Sequence, residues 1–213
     1  PYRMECFDIS HMQGSETVAS MVVFEGGVAK KSDYRRFKIR SAEGKPDDFK
    51  SMREVTTRRY GAPDAEMPDL IVIDGGKGQL SSALEIIRGA GHLLVPVVGL
   101  AKREEEVFRE GESEPVILPR DSQALFLIQR IRDEAHRFAI TYHRRLRGKR
   151  NMVSVLDHIE GIGPKRRQLL YEHYGELEKI KEASVEEMAG LDGMNRPAAE
   201  AVYNFFLAQR NLR

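Results

Sequence analysis

Three polar side chains stand in apolar surroundings and have the types needed for metal-assisted chemistry. Asp8 interrupts a run with strand character, Asp74 ends the apolar run 70–73, and His136 lies in a stretch with helical spacing. A buried carboxylate is unstable unless it is paired or bound to a cation. Two carboxylates about 4 Å apart repel by about 4 kcal/mol at an effective dielectric constant of 20. A divalent cation between them removes that cost.

Oxygen ligands of this kind suit Mg²⁺ or Mn²⁺. We therefore predict a metal held by Asp8 and Asp74, with His136 as a third ligand or a proton-transfer partner. Each residue also has an ordinary structural interpretation. Asp8 could stabilise a turn, Asp74 could cap the following helix, and a helical histidine is more commonly a packed or surface residue than a ligand.

The elements around these residues follow from hydrophobic spacing. Three runs in the first forty residues, 5–9, 17–24 and 33–39, are rich in β-branched and aromatic residues and predict strands. Their short links favour an antiparallel meander, with Gly26-Gly27 as a hairpin turn. Pro46 is then expected at the first position of a helix that ends at Gly61.

Beyond this helix the pattern becomes strand, helix, strand at 70–73, 78–88 and 95–100, which is typical of a buried parallel βαβ unit. A further short strand is expected at 116–118. Asp121 or Ser122 is expected to cap a helix that runs to about Arg147, with apolar residues every three or four positions.

Two domains are expected. Residues 1–148 have α/β character, whereas residues 155–213 show only short helical segments joined by glycine-containing turns. The basic stretch 147–154 is predicted to be the boundary.

Charge is distributed unevenly along the chain. The net charge is only +1, yet residues 120–170 hold 12 basic and five acidic side chains. A clustered basic stripe binds nucleic-acid phosphates, and the alternative is a solvated helical face.

Two similar glycine turns lie in the second domain, at 159–167 and 188–196. Gly161 and Gly163 are expected to form a tight turn with positive φ, which leaves the next helix's amide groups free for a phosphate. The pattern resembles a tandem helix-hairpin-helix module, a family that binds the DNA backbone, with Asn195 where the second hairpin usually has its second glycine. The predicted phosphate contacts here are Gly161, Gly163, Lys165, Arg166, Arg167, Gly193 and Arg196.

Three longer segments carry a more specific resemblance: Phe-Asp-Ile-Ser-His at 7–11, Ile-Asp-Gly-Gly-Lys-Gly-Gln-Leu at 73–80 and Arg-Asp-Glu-Ala-His-Arg-Phe-Ala at 132–139. Together they resemble the C-terminal half of the UvrC family, the incision subunits of bacterial nucleotide excision repair. That resemblance implies an α/β ribonuclease H-like mixed sheet with flanking helices, followed by a small all-α tandem helix-hairpin-helix domain.

The same resemblance implies a metal-dependent endonuclease that cuts a damaged strand on the 5′ side of the lesion. Its implied catalytic triad is Asp8, Asp74 and His136, with Mg²⁺ or Mn²⁺ as cofactor. The implied partners are damaged double-stranded DNA and the UvrB–DNA pre-incision complex, whose main binding segment would lie upstream of Pro1. Other candidates from position alone are Lys77 and Lys102 as phosphate contacts and Asp47 or Asp48 as a fourth acidic group.

Two alternatives stay open: a non-catalytic DNA-binding scaffold, and a ribonuclease H-like nuclease of another specificity, such as a deaminated-base endonuclease or a junction resolvase. A buried aspartate pair with no arginine or lysine nearby would favour the enzyme over the scaffold.

Cellular context follows from composition. A single cysteine, Cys6, excludes an internal disulfide framework and fits the cytoplasm. The longest apolar run, 93–101, is interrupted by Pro96 and Gly99 and is shorter than the roughly 20 residues that a membrane span needs. Because the chain starts at Pro1, we expect a fragment of a longer protein.

Overall fold

The computed structural model describes residues 1–11, 17–41, 47–101 and 106–210, with the side chains of 144–147, 149–151 and 209 left out. The chain divides into two units, Pro1–Thr141 and Tyr142–Arg213. Each unit has its own hydrophobic core. No helix in the described ranges has the length and hydrophobicity to cross a membrane.

The described part of the first unit contains a mixed sheet of seven strands. The strands are β1 (Arg3–His11), β2 (Thr17–Glu25), β3 (Val28–Ala29), β4 (Arg35–Ile39), β5 (Leu70–Ile73), β6 (Val97–Ala101) and β7 (Glu106–Arg109). Their order is β3-β2-β1-β5-β6-β7, and β4 also pairs with β2. β1, β5 and β6 are parallel to one another, while β2 and β7 are antiparallel to their neighbours β1 and β6.

Helices cover both faces of this sheet. The helices α1 (Asp48–Tyr60) and α2 (Lys77–Gly89) contribute Met52 and Ala83 to a core that includes Phe7 of β1. The helix α3 (Gln123–Leu156) contributes Ile131 to a second cluster that includes Cys6. Because successive residues of a strand point to opposite faces, β1 supplies alternate side chains to the two layers.

The predicted meander and βαβ unit are confirmed, with small differences at the ends of elements. Gly26 and Gly27, both with positive φ, form the turn between β2 and the two-residue β3. The helix α1 begins at Asp48 rather than at Pro46, which lies outside the described residues. A single bridge between Val107 and Val116 replaces the strand expected at 116–118.

The helix α3 differs most from its prediction. Ser122 accepts a hydrogen bond from the Leu125 amide at its start, as expected of a cap. At the other end the helix continues to Leu156, so the stretch 147–154 is helical, and the two units divide at residues 141 and 142. One glycine inside a helix costs only about 1 kcal/mol. Burial of Met152 and Leu156 in the second core outweighs that cost.

A buried charge network fixes β1 to α1. Glu5 has no exposed surface, and its carboxylate accepts hydrogen bonds from Arg59 at 2.8 Å, Arg3 at 3.0 Å and the Tyr60 hydroxyl at 2.5 Å. Burial, and then the Glu5 charge, raise the pKa of Tyr60 well above its ordinary value. A buried carboxylate with this many partners is satisfied, and removing it leaves its arginines unpaired.

We expect Glu5→Ala to lower the free energy of unfolding by about 3 kcal/mol, the low end of the range for breaking a buried ion pair, because both arginines keep some contact with water. Urea denaturation, monitored by circular dichroism, measures this change in the free energy of unfolding. Glu85→Ala is the matched control, since Glu85 pairs with Arg53 on the surface, and we expect a loss below about 1 kcal/mol. Equal losses in the two variants would contradict the structural role of Glu5.

The described part of the second unit, up to residue 210, contains four helices after the end of α3. They are α4 (Pro164–Tyr174), α5 (Leu177–Glu182), α6 (Val185–Ala189) and α7 (Arg196–Arg210). Leu170, Met188 and Val202 are fully buried in its core. No strand occurs in the described part of this unit, which agrees with the predicted all-α module.

Candidate metal centre and hairpin module

Two aspartates lie where the parallel pairing between β1 and β5 ends. The strands align with Cys6 opposite Val72 and Phe7 opposite Ile73, so Asp8 and Asp74 come next on neighbouring strands. The Asp74 amide donates to the Phe7 carbonyl at 2.9 Å, which continues the pairing. Only 2% of Asp8 and 4% of Asp74 is exposed. The carboxylates are therefore held close together in a largely dehydrated place.

His136 on α3 completes the group that the sequence predicted. One ligand atom from each of Asp8, Asp74 and His136 lies within 4.8 Å of the other two, and these three form the group of this kind found among the described residues. The His136 side chain is 56% exposed, whereas the carboxylates are buried. Its Nδ1 lies 3.8 Å from Asp8 Oδ2, too far for a direct hydrogen bond. With metal–ligand distances of about 2.1 Å, two ligand atoms of one ion lie up to about 4.2 Å apart, so this separation suits a shared cation.

Ser10 is a further residue at this site that the sequence analysis missed. Its hydroxyl donates to Asp8 Oδ2 at 3.0 Å, because residues two apart on a strand share a face. This hydrogen bond restricts the rotation of the Asp8 carboxylate. The period-two spacing of Asp8 and Ser10 was the sequence signal that could have revealed it.

The electrostatic environment of the pair is visible at Cys6, two residues before Asp8. Burial raises the pKa of the Cys6 thiol well above its ordinary value, and the negative charges of Asp74 and Asp8 raise it further. Arg132 acts in the opposite direction on the same thiol, and its guanidinium also bonds to Asp133 at 3.0 Å. A basic side chain therefore lies near Cys6, so the absence of arginine or lysine around the aspartate pair does not serve here to distinguish an enzyme from a scaffold.

The two acidic residues considered as a fourth group have other partners. Asp47 caps α1 by accepting from the Lys50 amide at 3.0 Å. The Asp48 carboxylate lies 2.5 Å from His11 Nε2 and accepts a hydrogen bond from the side-chain amide of Gln79 at 2.9 Å. Neither belongs to the cluster of three ligand atoms.

Of the two lysines considered as phosphate contacts, one lies in the described structure. The Lys77 ammonium binds the Ser113 carbonyl and lies 5.2 Å from the centre of the Phe108 ring, so it is engaged with the β7 side of the unit. Its contact with phosphate stays a prediction. Lys102 lies outside the described residues.

The hairpin turns of the second unit differ from expectation at one glycine. Gly161 and Gly193 have positive φ, +81° and +96°, as their turns require. Gly163 has φ −75° and ψ 177°, an extended conformation open to any residue, and is the N-cap of α4. The expected positive φ at Gly163 was wrong. An added Cβ at Gly163 would meet no atom within 4 Å, so neither backbone nor packing requires glycine there.

The three basic residues of the first hairpin have different partners. Arg166 donates to the Gly161 carbonyl at 2.7 Å and to the Gly193 carbonyl at 3.3 Å, so it links the two turns. Arg167 is ion-paired with Asp157. Lys165 is exposed at the start of α4.

The second hairpin is partly closed by its own side chains. Asn195 Oδ1 accepts from the Ala198 amide at 3.0 Å and so occupies one free donor at the start of α7. Arg196 bonds to Glu200 at 3.0 Å. The corresponding position in the first hairpin, Gly163, makes no side-chain bond of this kind.

The fold and the site now define a class. A mixed sheet with one aspartate within its central strand β1 and another directly after β5, both beside a helix that carries a histidine, is a ribonuclease H-like domain, and helical hairpins follow it. Residues 1–140 match the model of the UvrC RNAse H endonuclease domain, and residues 153–206 match the SAM-like helix-hairpin-helix tandem. The chain belongs to the UvrC family.

Relatives agree over nearly the whole chain. It is 46% identical to the UvrABC system protein C of Desulforudis audaxviator and 49% identical to that of Gloeobacter violaceus, in each case over 97% of this chain. The chain spans about a third of these relatives, 36% and 34% of their lengths. Among solved structures, Ciona intestinalis endonuclease V is similar over 62% of this chain and 56% of that one, at 15% identity and a TM-score of 0.33.

Proposed function

We propose that the chain is a metal-dependent endodeoxyribonuclease that cuts a damaged DNA strand on the 5′ side of the lesion in bacterial nucleotide excision repair. The observation that carries the proposal is the buried pair Asp8 and Asp74 with His136 beside it. Membership of a family described by its endonuclease domain supports the nuclease reaction over a purely structural role.

The donor set fits a hard divalent cation. Asp8 and Asp74 would hold Mg²⁺ or Mn²⁺, since both ions prefer carboxylate oxygens and their charge offsets the repulsion between the two groups. A cation bound there supplies polarisation of the scissile phosphodiester and a lowered pKa of the attacking water.

The chain's own residues position and move protons around that chemistry. Ser10 holds the Asp8 carboxylate in one orientation. Hydrolysis takes a proton from water and returns one to the leaving 3′ oxygen. His136 is suited to this transfer because its imidazole is exposed to solvent and lies within 4.8 Å of both carboxylates. In this proposal the two carboxylates bind the metal ion, and His136 raises the cleavage rate by transferring a proton.

In this proposal the first hairpin binds the DNA backbone. The absence of a side chain at Gly163 leaves the α4 N-terminus open to a phosphate, and Lys165 adds a positive charge beside it. The second hairpin contributes less, because Asn195 already occupies one of its amide donors. Arg166 stabilises this binding surface, because its guanidinium links the two turns.

The salt dependence of DNA binding distinguishes the phosphate contact of Lys165 from the structural role of Arg166. We expect Lys165→Met to weaken duplex binding and to reduce the slope of log affinity against log salt by about 0.9, the value for one lost phosphate contact. Arg166→Met is expected to weaken binding with little change in slope, because its guanidinium bonds to the Gly161 and Gly193 carbonyls. Fluorescence anisotropy of a labelled duplex between 50 and 200 mM salt measures both.

Lys179→Met is the matched control, because Lys179 is exposed in the same unit on α5 and is expected to leave both affinity and slope unchanged. An equal fall in slope for Lys165→Met and Arg166→Met would mean that Arg166 contacts phosphate directly.

The proposal includes the setting in which the cut is made. Damaged double-stranded DNA within the UvrB–DNA complex is the substrate, and the cytoplasm is the location, which the single unpaired Cys6 supports.

The decisive experiment uses a duplex with one lesion, labelled at either end of the damaged strand, with this chain, Mg²⁺ or Mn²⁺ and the other proteins of the repair system. We expect a product that ends at a fixed position on the 5′ side of the lesion and is absent when the chain is omitted. Absence of any cut, or a cut only on the 3′ side, would contradict the proposed function.

A further inference from the structure

An open cavity of about 790 Å³ lies at the ends of the strands that carry the aspartates. Its walls come from the end of β1 and the starts of α1 and α2, and include His11, Asp48, Phe49, Gly76, Gly78 and Gln79. Crevices at the carboxyl ends of parallel strands are common ligand sites in sheets of this type. No residue of the Asp8, Asp74 and His136 cluster lines this cavity, which makes it a separate space.

The cavity nonetheless adjoins the metal cluster along the chain. His11 is three residues beyond Asp8 on β1, and Gly76 is two residues beyond Asp74. Two or three residues span at most about 10 Å. Asp8 and His11 point to opposite faces of β1, so a strand of nucleic acid whose phosphate lies at the cluster reaches the cavity with its neighbouring nucleotide across the end of β5, where Asp74 and Gly76 are two residues apart.

Phe49 provides an apolar wall that faces outward. Its side chain is 51% exposed although it is a large aromatic residue. Gly78 seats the ring, since a Cβ at that position would come within 2.4 Å of the ring's edge. The absence of a side chain at Gly78 therefore leaves room for the edge of the ring, while much of the ring's surface stays in contact with solvent. An exposed aromatic face in a cavity is a surface on which a flat ring can stack.

The polar walls decide against a charged occupant. His11 and Gln79 both bond to Asp48, so their hydrogen bonds are directed within the wall. Asp47 and Asp48 place negative charge in the same cavity. A phosphate would be repelled there, whereas an uncharged flat ring with hydrogen-bonding edges would not be.

We propose that this cavity holds a nucleobase of the strand being cut, next to the scissile phosphate, stacked on the Phe49 ring. The inference deepens the proposed function and rests on it, because the occupant is a part of the same DNA substrate. It makes Phe49 a substrate-binding residue and Gly78 the residue that positions it.

The chain contains no tryptophan, so Phe49→Trp introduces a single fluorescent indole into the cavity. The probe is a single-stranded 12-mer oligodeoxynucleotide, with Ca²⁺ present because this ion accepts oxygen ligands in flexible geometry. We expect the oligonucleotide to quench the introduced indole, and a 12-mer of equal charge whose six central residues are abasic to quench it at least about fivefold less. Anisotropy of a labelled strand measures total binding in parallel.

Leu94→Trp is the matched control. Leu94 is 95% exposed and precedes β6, at the opposite end of the parallel strands from the cavity. Its indole is expected to be insensitive to either oligonucleotide.

A second measurement needs no indole. Phe49→Leu should lower the affinity for the base-containing strand about tenfold, the size expected for one base stacked on one aromatic ring, and leave the affinity for the abasic strand unchanged. Strand binding with equal quenching by both oligonucleotides, or with equal affinity losses in Phe49→Leu, would overturn the base site alone. Failure of the chain to bind any strand by anisotropy would also overturn the base site, whereas the proposed function is decided separately by cleavage of the lesion duplex.

Discussion

Replacing Asp8 or Asp74 singly by asparagine is expected to abolish cleavage, with a fall of at least about 10³-fold in the single-turnover rate. Asparagine keeps the volume and removes the negative charge that holds the cation, and metal stabilisation of the transition state is worth several kcal/mol, at about 1.4 kcal/mol for each factor of ten. Cleavage of a labelled lesion duplex by the reconstituted system in Mn²⁺ measures the rate. Thermal unfolding should show that each variant stays folded.

Calorimetry provides a readout that does not depend on cleavage. We expect the unaltered chain to bind Mn²⁺ weakly at one place, and the double variant Asp8→Asn with Asp74→Asn to lose that binding. Asp133→Asn is the control, because Asp133 is an exposed carboxylate on the same helix as His136. Unchanged Mn²⁺ binding in the double variant would mean that the metal ligands lie elsewhere. Retained cleavage in either single variant would contradict the assignment of Asp8 and Asp74 as catalytic metal ligands.

His136→Ala is expected to reduce the cleavage rate by about 10²–10⁴-fold, the usual contribution of a positioned acid or base, and to change DNA affinity by less than twofold. Single-turnover cleavage of the labelled lesion duplex measures the rate, and anisotropy of the same duplex measures the affinity. His158→Ala, an exposed histidine of the second unit, should behave like the unaltered chain.

The same variant distinguishes the two roles of His136. Mn²⁺ affinity that falls less than about tenfold, together with the large rate loss, agrees with proton transfer. A loss of Mn²⁺ binding as complete as in the aspartate double variant would assign His136 to the ligands. Near-normal cleavage by the folded variant would remove it from the site.

Much of the first unit could be predicted because its elements have strong local signals. The runs around Phe7, Val22 and Val72 are apolar on both faces of their strands, which is typical of a buried sheet. The strand β7 was missed because Glu106–Arg109 has only two apolar residues between charged ends, and pairing with β6 supplies what its sequence lacks. The end of α3 was missed because tertiary burial overrode a glycine and a run of positive charges.

The candidate site shows the same division between local and long-range information. Asp8, Asp74 and His136 could be named from their unusual surroundings, yet their proximity depends on the register of β1 against β5 and on where α3 crosses the sheet. The link that Arg166 makes between two turns 32 residues apart depends on three-dimensional packing, which no local pattern contains. Sequence reasoning assigned Arg166 to phosphate, which stays a prediction, and it did not foresee the bonds that Arg166 Nε and Nη1 make to the two backbone carbonyls.

The alternation along β1 has a consequence for how this protein tolerates change. Glu5 faces α1 and holds the fold, while Asp8, three residues later, faces α3 and belongs to the metal cluster. Point substitutions can alter either property by itself. Insertion or deletion of one residue between them would turn one side chain to the wrong layer, since a shift of one residue exchanges the faces of a strand. The number of residues between Glu5 and Asp8 is therefore constrained more tightly than the identity of either residue.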